Sequence, residues 1–191
     1  MAQVIRTGPL RRRRSFGAWL GPFLVLALVL CLGLSSEAAD APLESQIQAV
    51  FLLNFTKFIE WPPGSLGPSY SSFNICILGN DPFGTALDQV VAGEVVYGRR
   101  IAVQKTDREP EAGSCQIVFT DSQDYDAKLL SRLGRGVLTV GVGPGFIRSG
   151  GMIAFVLENR RVTFEINRPA AESAGLTLSS RLLAVAKAVT K

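Results

Sequence analysis

The chain has 191 residues, which suits one domain with a buried core, and 47% of them are hydrophobic. It contains no histidine, and this removes the commonest catalytic base and the usual partner of a nucleophilic side chain. The net charge is +4, but residues 1–38 hold five of the 20 basic and one of the 16 acidic residues, which leaves 15 of each. The remaining chain is therefore neutral and gives no reason to expect nucleic-acid binding.

The first 38 residues have the organisation of a secretory signal peptide. A basic run at Arg11–Arg14 is followed by the apolar segment Phe16–Leu34 and by small residues at Ser36–Ala38. This order predicts cleavage after Ala38 and a mature domain of residues 39–191 in the periplasm. Two alternatives stay open, namely an uncleaved membrane anchor and, from Arg13–Phe16, export through the twin-arginine route.

The first segment of the mature chain with a clear helical period leads into a double proline. Its apolar residues recur at steps of three and four: Leu43, Ile47, Val50, Phe51, Phe55, Phe58 and Ile59. The residue before a proline is pushed out of the α region, so the helix should end at Trp61, before Pro62. A core helix is the simpler interpretation. Leu52 and Leu53 widen the apolar stripe and Asn54 interrupts it, so the flank with Leu52, Leu53 and Trp61 is a candidate interface.

Beyond this helix, strand and helix patterns alternate along the chain. The predicted strands are Phe73–Gly79, Arg100–Lys105, Cys115–Thr120, Val137–Val142, Met152–Leu157 and Arg161–Ile166. The predicted helices are Asp81–Gly93 with Asp81 as N-cap, Asp124–Leu133, Arg168–Ala174 and Ser180–Val189. This order predicts a single α/β domain. Its sheet should be mostly parallel or mixed and flanked by helices, with a C-terminal β-hairpin and a terminal helix.

Two cysteines remain once Cys31 leaves with the leader. Cys76 and Cys115 form an even pair in an oxidising compartment, so we expect a disulfide that closes a loop of about 40 residues. The alternative is a pair of buried thiols on neighbouring strands. A metal site is not expected, because the chain has neither histidine nor closely spaced cysteines.

Two segments resemble ligand-binding sites at first sight. Gly141–Gly145 follows a strand, but it lacks the spacing of a phosphate-binding loop and Pro144 removes a backbone donor, which favours a structural turn. Asp121, Asp124 and Asp126 follow another strand, where ligands often bind in open α/β sheets, yet helix capping is the favoured explanation of these residues. We therefore assign no catalytic, cofactor-binding or metal-binding residue.

Four sequence blocks occur in order over nearly all of the mature chain. The first block carries Asn54, Phe55, Lys57, Phe58, Glu60, Trp61 and Pro62. The other blocks are Phe73–Gly84, Cys115–Phe119 and Gly151–Ala184. Together they resemble the YfiR family of exported bacterial proteins.

The resemblance implies a non-enzymatic, periplasmic regulator of cyclic di-GMP signalling and biofilm formation. Such a protein represses an inner-membrane diguanylate cyclase (YfiN-like) through contact with its periplasmic domain, and an outer-membrane lipoprotein (YfiB-like) sequesters it. The resemblance further implies a homodimer without a cofactor and places Cys76 and Cys115 at one family disulfide. A second family disulfide has no counterpart, because Glu158–Ile166 contains no cysteine. The alternative is a periplasmic sensor or small-ligand-binding module.

Overall fold

The computed structural model describes residues 43–68, 71–110, 114–121 and 127–190, and the predicted signal peptide lies outside them. The strands are β1 (Ile59–Glu60), β2 (Phe73–Leu78), β3 (Val95–Val96), β4 (Arg99–Thr106), β5 (Ile117–Thr120), β6 (Leu138–Val142), β7 (Ile153–Glu158), β8 (Arg161–Asn167), β9 (Thr177–Leu178) and β10 (Ala188–Thr190). The helices are α1 (Leu43–Phe58), α2 (Ala86–Val91), α3 (Ala127–Arg132), α4 (Pro144–Arg148), α5 (Arg168–Ser173) and α6 (Ser180–Val185).

A mixed sheet in the order β10-β8-β7-β6-β5-β2-β4-β3 organises the described residues. Strands β4, β2, β5, β6 and β7 run parallel, and their order follows the 2-1-3-4-5 pattern of doubly wound folds. The β7–β8 hairpin is antiparallel, and β10 lies parallel to β8 at the edge. The prediction of a single α/β domain with a mixed sheet and a C-terminal hairpin is confirmed.

The two faces of the sheet carry cores of different size, because side chains alternate along each strand. Ile75 and Ile77 of β2 belong to the large cluster, and Cys76 between them belongs to the small one. Phenylalanine rings fill the large cluster, where Phe55 of α1 lies with its centroid 5.9 Å from that of Phe155. Each buried side chain of this size contributes about 1.5–3 kcal/mol, so the α1 face provides most of the apolar stabilisation.

The predicted start of the second helix is wrong. Helix α2 begins at Ala86, because the Asp81 carboxylate accepts the N–H of Phe83 at 2.9 Å and thereby closes a turn. The same carboxylate lies 2.6 Å from Nζ of Lys105 on β4. Asp81 therefore joins the end of β2 to the neighbouring strand instead of capping a helix.

The predicted end of the last helix is also wrong. Ser179 caps α6 by accepting the N–H of Leu182 at 3.2 Å, but the helix ends at Val185, and Ala186 has extended backbone angles. The chain then pairs with β8 as strand β10, with Val189 opposite Ile166. Residues 188–190 therefore form a strand on the edge of β8, although their apolar spacing also fits a helix.

The glycine-rich segment after β6 makes room for Phe146, which agrees with the structural interpretation of Gly141–Gly145. Phe146 is fully buried, and a Cβ added at either Gly141 or Gly151 would lie closer than 3.0 Å to its ring. The sequence did not predict that α4 begins inside this segment, with Pro144 in its first turn. Gly141 and Gly151 therefore allow the ring of Phe146 to pack closely against the backbone.

Replacing Gly141 by alanine is expected to lower the free energy of unfolding by about 1–3 kcal/mol, because the new methyl group overlaps the buried ring. Gly145→Ala is the matched control, since its Cβ would have no neighbour closer than 3.9 Å and alanine is favoured in a helix. Urea unfolding measures both variants. Equal stability of the two would contradict the packing role of Gly141.

The predicted disulfide between Cys76 and Cys115 is present. Their Cα atoms are 5.9 Å apart, and the sequence separation is 39 residues. The bond joins β2 to the residues before β5 and lies in the small cluster beside Val118, Leu133 and Val137. It therefore closes the loop that carries α2, β3 and β4.

The double variant Cys76→Ala/Cys115→Ala is expected to lose about 3–4 kcal/mol of unfolding free energy, because the cross-link no longer restricts the unfolded chain. Reductant should lower the stability of the wild-type protein and leave the double variant unchanged. Equal stability of the oxidised and reduced wild-type protein would contradict a stabilising role for the bond.

Candidate interaction surface

The end of helix α1 is anchored by Trp61. This residue is only 8% exposed, and its ring packs edge-to-face on Phe73 with the centroids 5.0 Å apart. Its indole N–H donates to the main-chain oxygen of Gln116 at 3.3 Å. Because Phe73 begins β2 and Gln116 precedes β5, the indole attaches α1 to two central strands.

Gln116 is the residue that receives this anchor, and sequence reasoning missed it. It is 3% exposed, its Oε1 accepts the N–H of Asn74 at 2.7 Å, and its Nε2 donates to the main-chain oxygen of Ser65 at 3.3 Å. Its main-chain oxygen also accepts the N–H of Leu138. A buried amide must satisfy its donors and acceptors, so these bonds fix the β2–β5–β6 edge against the loop after α1. The sequence does contain a signal for this role, because Gln116 is a single polar residue at the start of an apolar strand.

A short antiparallel ribbon continues the anchor beyond α1. Strand β1 pairs with β9, with Ile59 opposite Leu178, and the hydroxyl of Tyr97 donates to the main-chain oxygen of Ile59 at 2.9 Å. The N–H of Ser179 donates to the oxygen of Phe58. The end of α1 and the beginning of α6 are therefore held together by main-chain bonds.

The other residues of the first sequence block divide between core, surface and groove. Phe55 is fully buried, and Lys57 forms an ion pair of 3.0 Å with Glu94. Both partners of this pair are partly exposed, so its contribution to stability is small. Glu60 is exposed on β1, whereas Asn54 and Phe58 are half-buried.

The structure corrects the predicted exposure of Leu52, Leu53 and Trp61. All three side chains lie in the large core cluster, where Leu52 is fully buried. The broad stripe of α1 is needed because the helix packs against α2 as well as against the sheet. The exposed apolar side chains of α1 are instead Leu43, Ile47 and Val50.

Helix α6 also exposes an apolar side chain. Leu43 is 71%, Ile47 36% and Val50 46% exposed, and Val185 of α6 is 67% exposed. A groove of about 170 Å³ separates the two helices and is lined by Phe51, Asn54, Phe58, Phe164, Arg181, Leu182 and Val185. We call these exposed side chains and this groove the α1/α6 surface. Exposed apolar area of this kind is typical of a protein-binding surface.

An ion pair lies at the end of β2, next to the edge where α/β sheets often bind ligands. In the 2-1-3-4-5 order this edge lies beyond the ends of β2 and β5. Nζ of Lys105 bonds the Asp81 carboxylate and, at 3.1 Å, the main-chain oxygen of Gly84. The hydrogen bond that Lys105 donates to the Asp81 carboxylate raises the pKa of Lys105. Asp121 is half-buried at the end of β5, and the predicted Asp124 and Asp126 lie outside the described residues.

Among the described residues, no group of three or more acidic or cysteine side chains is placed to hold a metal ion. In the same residues, none of the helices combines the length and the apolar character that crossing a bilayer requires.

The fold and the α1/α6 surface define a doubly wound α/β domain with an apolar surface suited to protein contact. Residues 45–187 match the YfiR/HmsC-like family. The chain belongs to this family, whose members are periplasmic regulators of cyclic di-GMP signalling. The family predicted from the four sequence blocks is thus confirmed.

Solved structures with a similar backbone are more distant. A conserved domain protein of Vibrio cholerae O1 biovar El Tor has 12% identity and a TM-score of 0.48, with 78% of this chain and 60% of that chain covered. The ABC domain from Streptococcus pneumonia in complex with L-Trp has 11% identity and a TM-score of 0.43, with 77% and 60% covered. This chain thus spans 60% of the length of each. A comparison with curated proteins gave no significant match.

The anchor predicts a pH dependence of stability. Burial and the charge of Glu60 raise the pKa of Tyr97 above its ordinary value of 10.0, and a backbone hydrogen bond at Trp61 acts in the opposite direction. The folded protein therefore keeps the phenol proton at a pH where the unfolded chain has lost it. This contribution is complete below pH 10.0 and is lost as the pH rises through the folded-state pKa.

Tyr97→Phe is expected to lose less stability than the wild-type protein as the pH rises above 10.0, because it has no phenol to ionise. Urea unfolding at several pH values measures the slope. The other tyrosines are common to both proteins and cancel in the comparison. Parallel curves for the two proteins would contradict the assignment to Tyr97.

Proposed function

We propose that this protein is a non-enzymatic periplasmic repressor that binds the periplasmic domain of an inner-membrane diguanylate cyclase (YfiN-like) and so lowers cyclic di-GMP. Membership of the YfiR/HmsC-like family supports the signalling role. The observation that supports a contact mechanism is the α1/α6 surface, where Val50, Ile47 and Val185 expose apolar area beside a groove. Partner side chains that fill the groove would bury this area.

Repression by contact is a matter of differential affinity. A protein that binds the inactive state of the cyclase more tightly than the active state shifts the cyclase toward inactivity by that difference. A rigid surface makes such binding stronger, because little conformational entropy is lost on association. The bonds of Trp61 and Tyr97 hold the end of α1 and thus prepare the surface for a partner.

The remaining parts of the proposal concern export and partners. Residues 1–38 form a cleaved signal peptide, residues 39–191 form the mature domain, and the protein acts as a homodimer. An outer-membrane lipoprotein (YfiB-like) that binds the repressor would relieve repression by mass action. The predicted single disulfide, Cys76–Cys115, is the one bond of the described residues on which redox conditions would act.

Val50→Glu is expected to weaken repression by about tenfold or more, because a charge in an apolar interface must be desolvated without a partner. Glutamate favours a helix more than valine does, so the fold should keep its stability. The readout is cyclic di-GMP in cells that lack the gene and carry either the wild-type or the variant copy. Cells without any copy should contain more cyclic di-GMP than wild-type cells.

Val95→Glu is the matched control, since Val95 is a valine of similar exposure at 57% and lies on β3 at the other end of the sheet order. It should repress as the wild-type protein does. Unchanged cyclic di-GMP on deletion of the gene would refute the repressor role. Full repression by a stable Val50→Glu protein would refute the role of the α1/α6 surface.

A further inference from the structure

A second cavity of about 370 Å³ lies away from the α1/α6 surface, at the amino ends of β6 and β7. It is lined by Leu130, Gly134, Arg135, Ser149, Gly150, Met152, Ala170, Ser173 and Ala174. The walls come from three places, namely the turn after α3, the turn after α4, and helix α5. This volume falls in the range of small-molecule sites in proteins.

The cavity stays open because two of its sides are glycine turns. Gly134 has φ +83° and Gly150 has φ +94°, values that residues with a side chain rarely adopt. A Cβ at Gly150 would have no neighbour within 4 Å, so the space beside this turn is empty of protein atoms. Gly134 and Gly150 therefore line the cavity without adding a side chain to it.

The chemistry of the lining is asymmetric. Leu130, Met152, Ala170 and Ala174 provide an apolar floor, and Met152 and Ala174 are buried. Ser149, Ser173 and Arg135 provide the side-chain polar groups, and the described lining includes no carboxylate. A molecule in this cavity would thus meet apolar surface on one side and a cation with hydroxyl groups on the other.

Arg135 differs from the arginines that precede it in α3 and follow it in α5. Arg132 is paired with Glu109 at 2.8 Å, and Arg168 is paired with Glu172 at 2.7 Å. The Arg135 guanidinium lies over Gly175, with Nη2 3.2 Å from the position of a Cβ there. Within the described part of the chain it forms no ion pair. Its planar donor array is free to bind a carboxylate through two hydrogen bonds.

We propose that this cavity binds a small organic anion, with its carboxylate held by Arg135 and the hydroxyls of Ser149 and Ser173 and its apolar body on the floor formed by Leu130 and Met152. The positive charge of Arg135 repels cations, so a cationic molecule should not bind in this cavity. The site is independent of the partner surface, because none of its lining residues lines the α1/α6 groove.

Three probes of one skeleton test the charge requirement: phenylacetate, its neutral amide phenylacetamide, and the cation phenethylamine. Titration of the mature domain is followed by amide chemical shifts in two-dimensional NMR spectra. Phenylacetate should give saturable shifts at Gly134 and Gly150, with the amide weaker by about tenfold and the amine without effect. No saturable shift with phenylacetate, or equal affinity for the amide, would overturn the proposal.

Arg135→Gln tests the residue that carries the proposal. It should weaken phenylacetate binding by about tenfold, while leaving the rest of the spectrum unchanged because the side chain is exposed. Arg148→Gln removes an exposed cation of α4 that does not line the cavity and should bind as the wild-type protein does. Equal binding by the two variants would overturn the assignment to Arg135.

Discussion

The hydrogen bond from the indole of Trp61 to Gln116, together with the packing of Trp61 on Phe73, determines how helix α1 lies on the sheet. Two central strands meet at this point, and the amide of Gln116 extends the connection to the loop at Ser65. Because the end of α1 is held here, one flank of the helix enters the core and the other remains at the surface. The position of the α1/α6 surface is thus a consequence of the anchor.

Much of the fold could be predicted from sequence, since apolar runs bounded by glycine, proline or polar turn residues indicated the longer strands β2 and β4 to β8. The errors have local physical causes. Asp81 has a side chain that bonds its own turn and Lys105, and this competes with helix capping. Val189 continues the helical spacing of the preceding apolar residues, but it forms a strand because it pairs with β8. Local patterns contain no information about such distant partners.

The candidate site, like the fold, could be predicted only in part from local sequence. The sequence indicated correctly that α1 has an unusually wide apolar stripe, but assigned Leu52 and Leu53 to the exposed part. Which flank is covered depends on the anchor at Trp61 together with the packing of α2, and both involve residues far from the helix in sequence. Gln116 and the cavity beside Arg135 are formed by residues far apart in sequence, so no single segment predicts either of them. Only the disulfide, a covalent bond between two remaining cysteines, followed directly from composition.

The central claim is that the exposed flank of α1 touches a diguanylate cyclase in the periplasm. A photo-crosslinking amino acid at Ile47, activated in living cells, tests this contact directly, with the same amino acid at Val95 as the control. Mass spectrometry of the products identifies the partner. The account predicts that position 47, and not position 95, becomes joined to a membrane protein that carries a diguanylate cyclase domain. Products without such a protein at position 47, or the same cyclase at both positions, would contradict it.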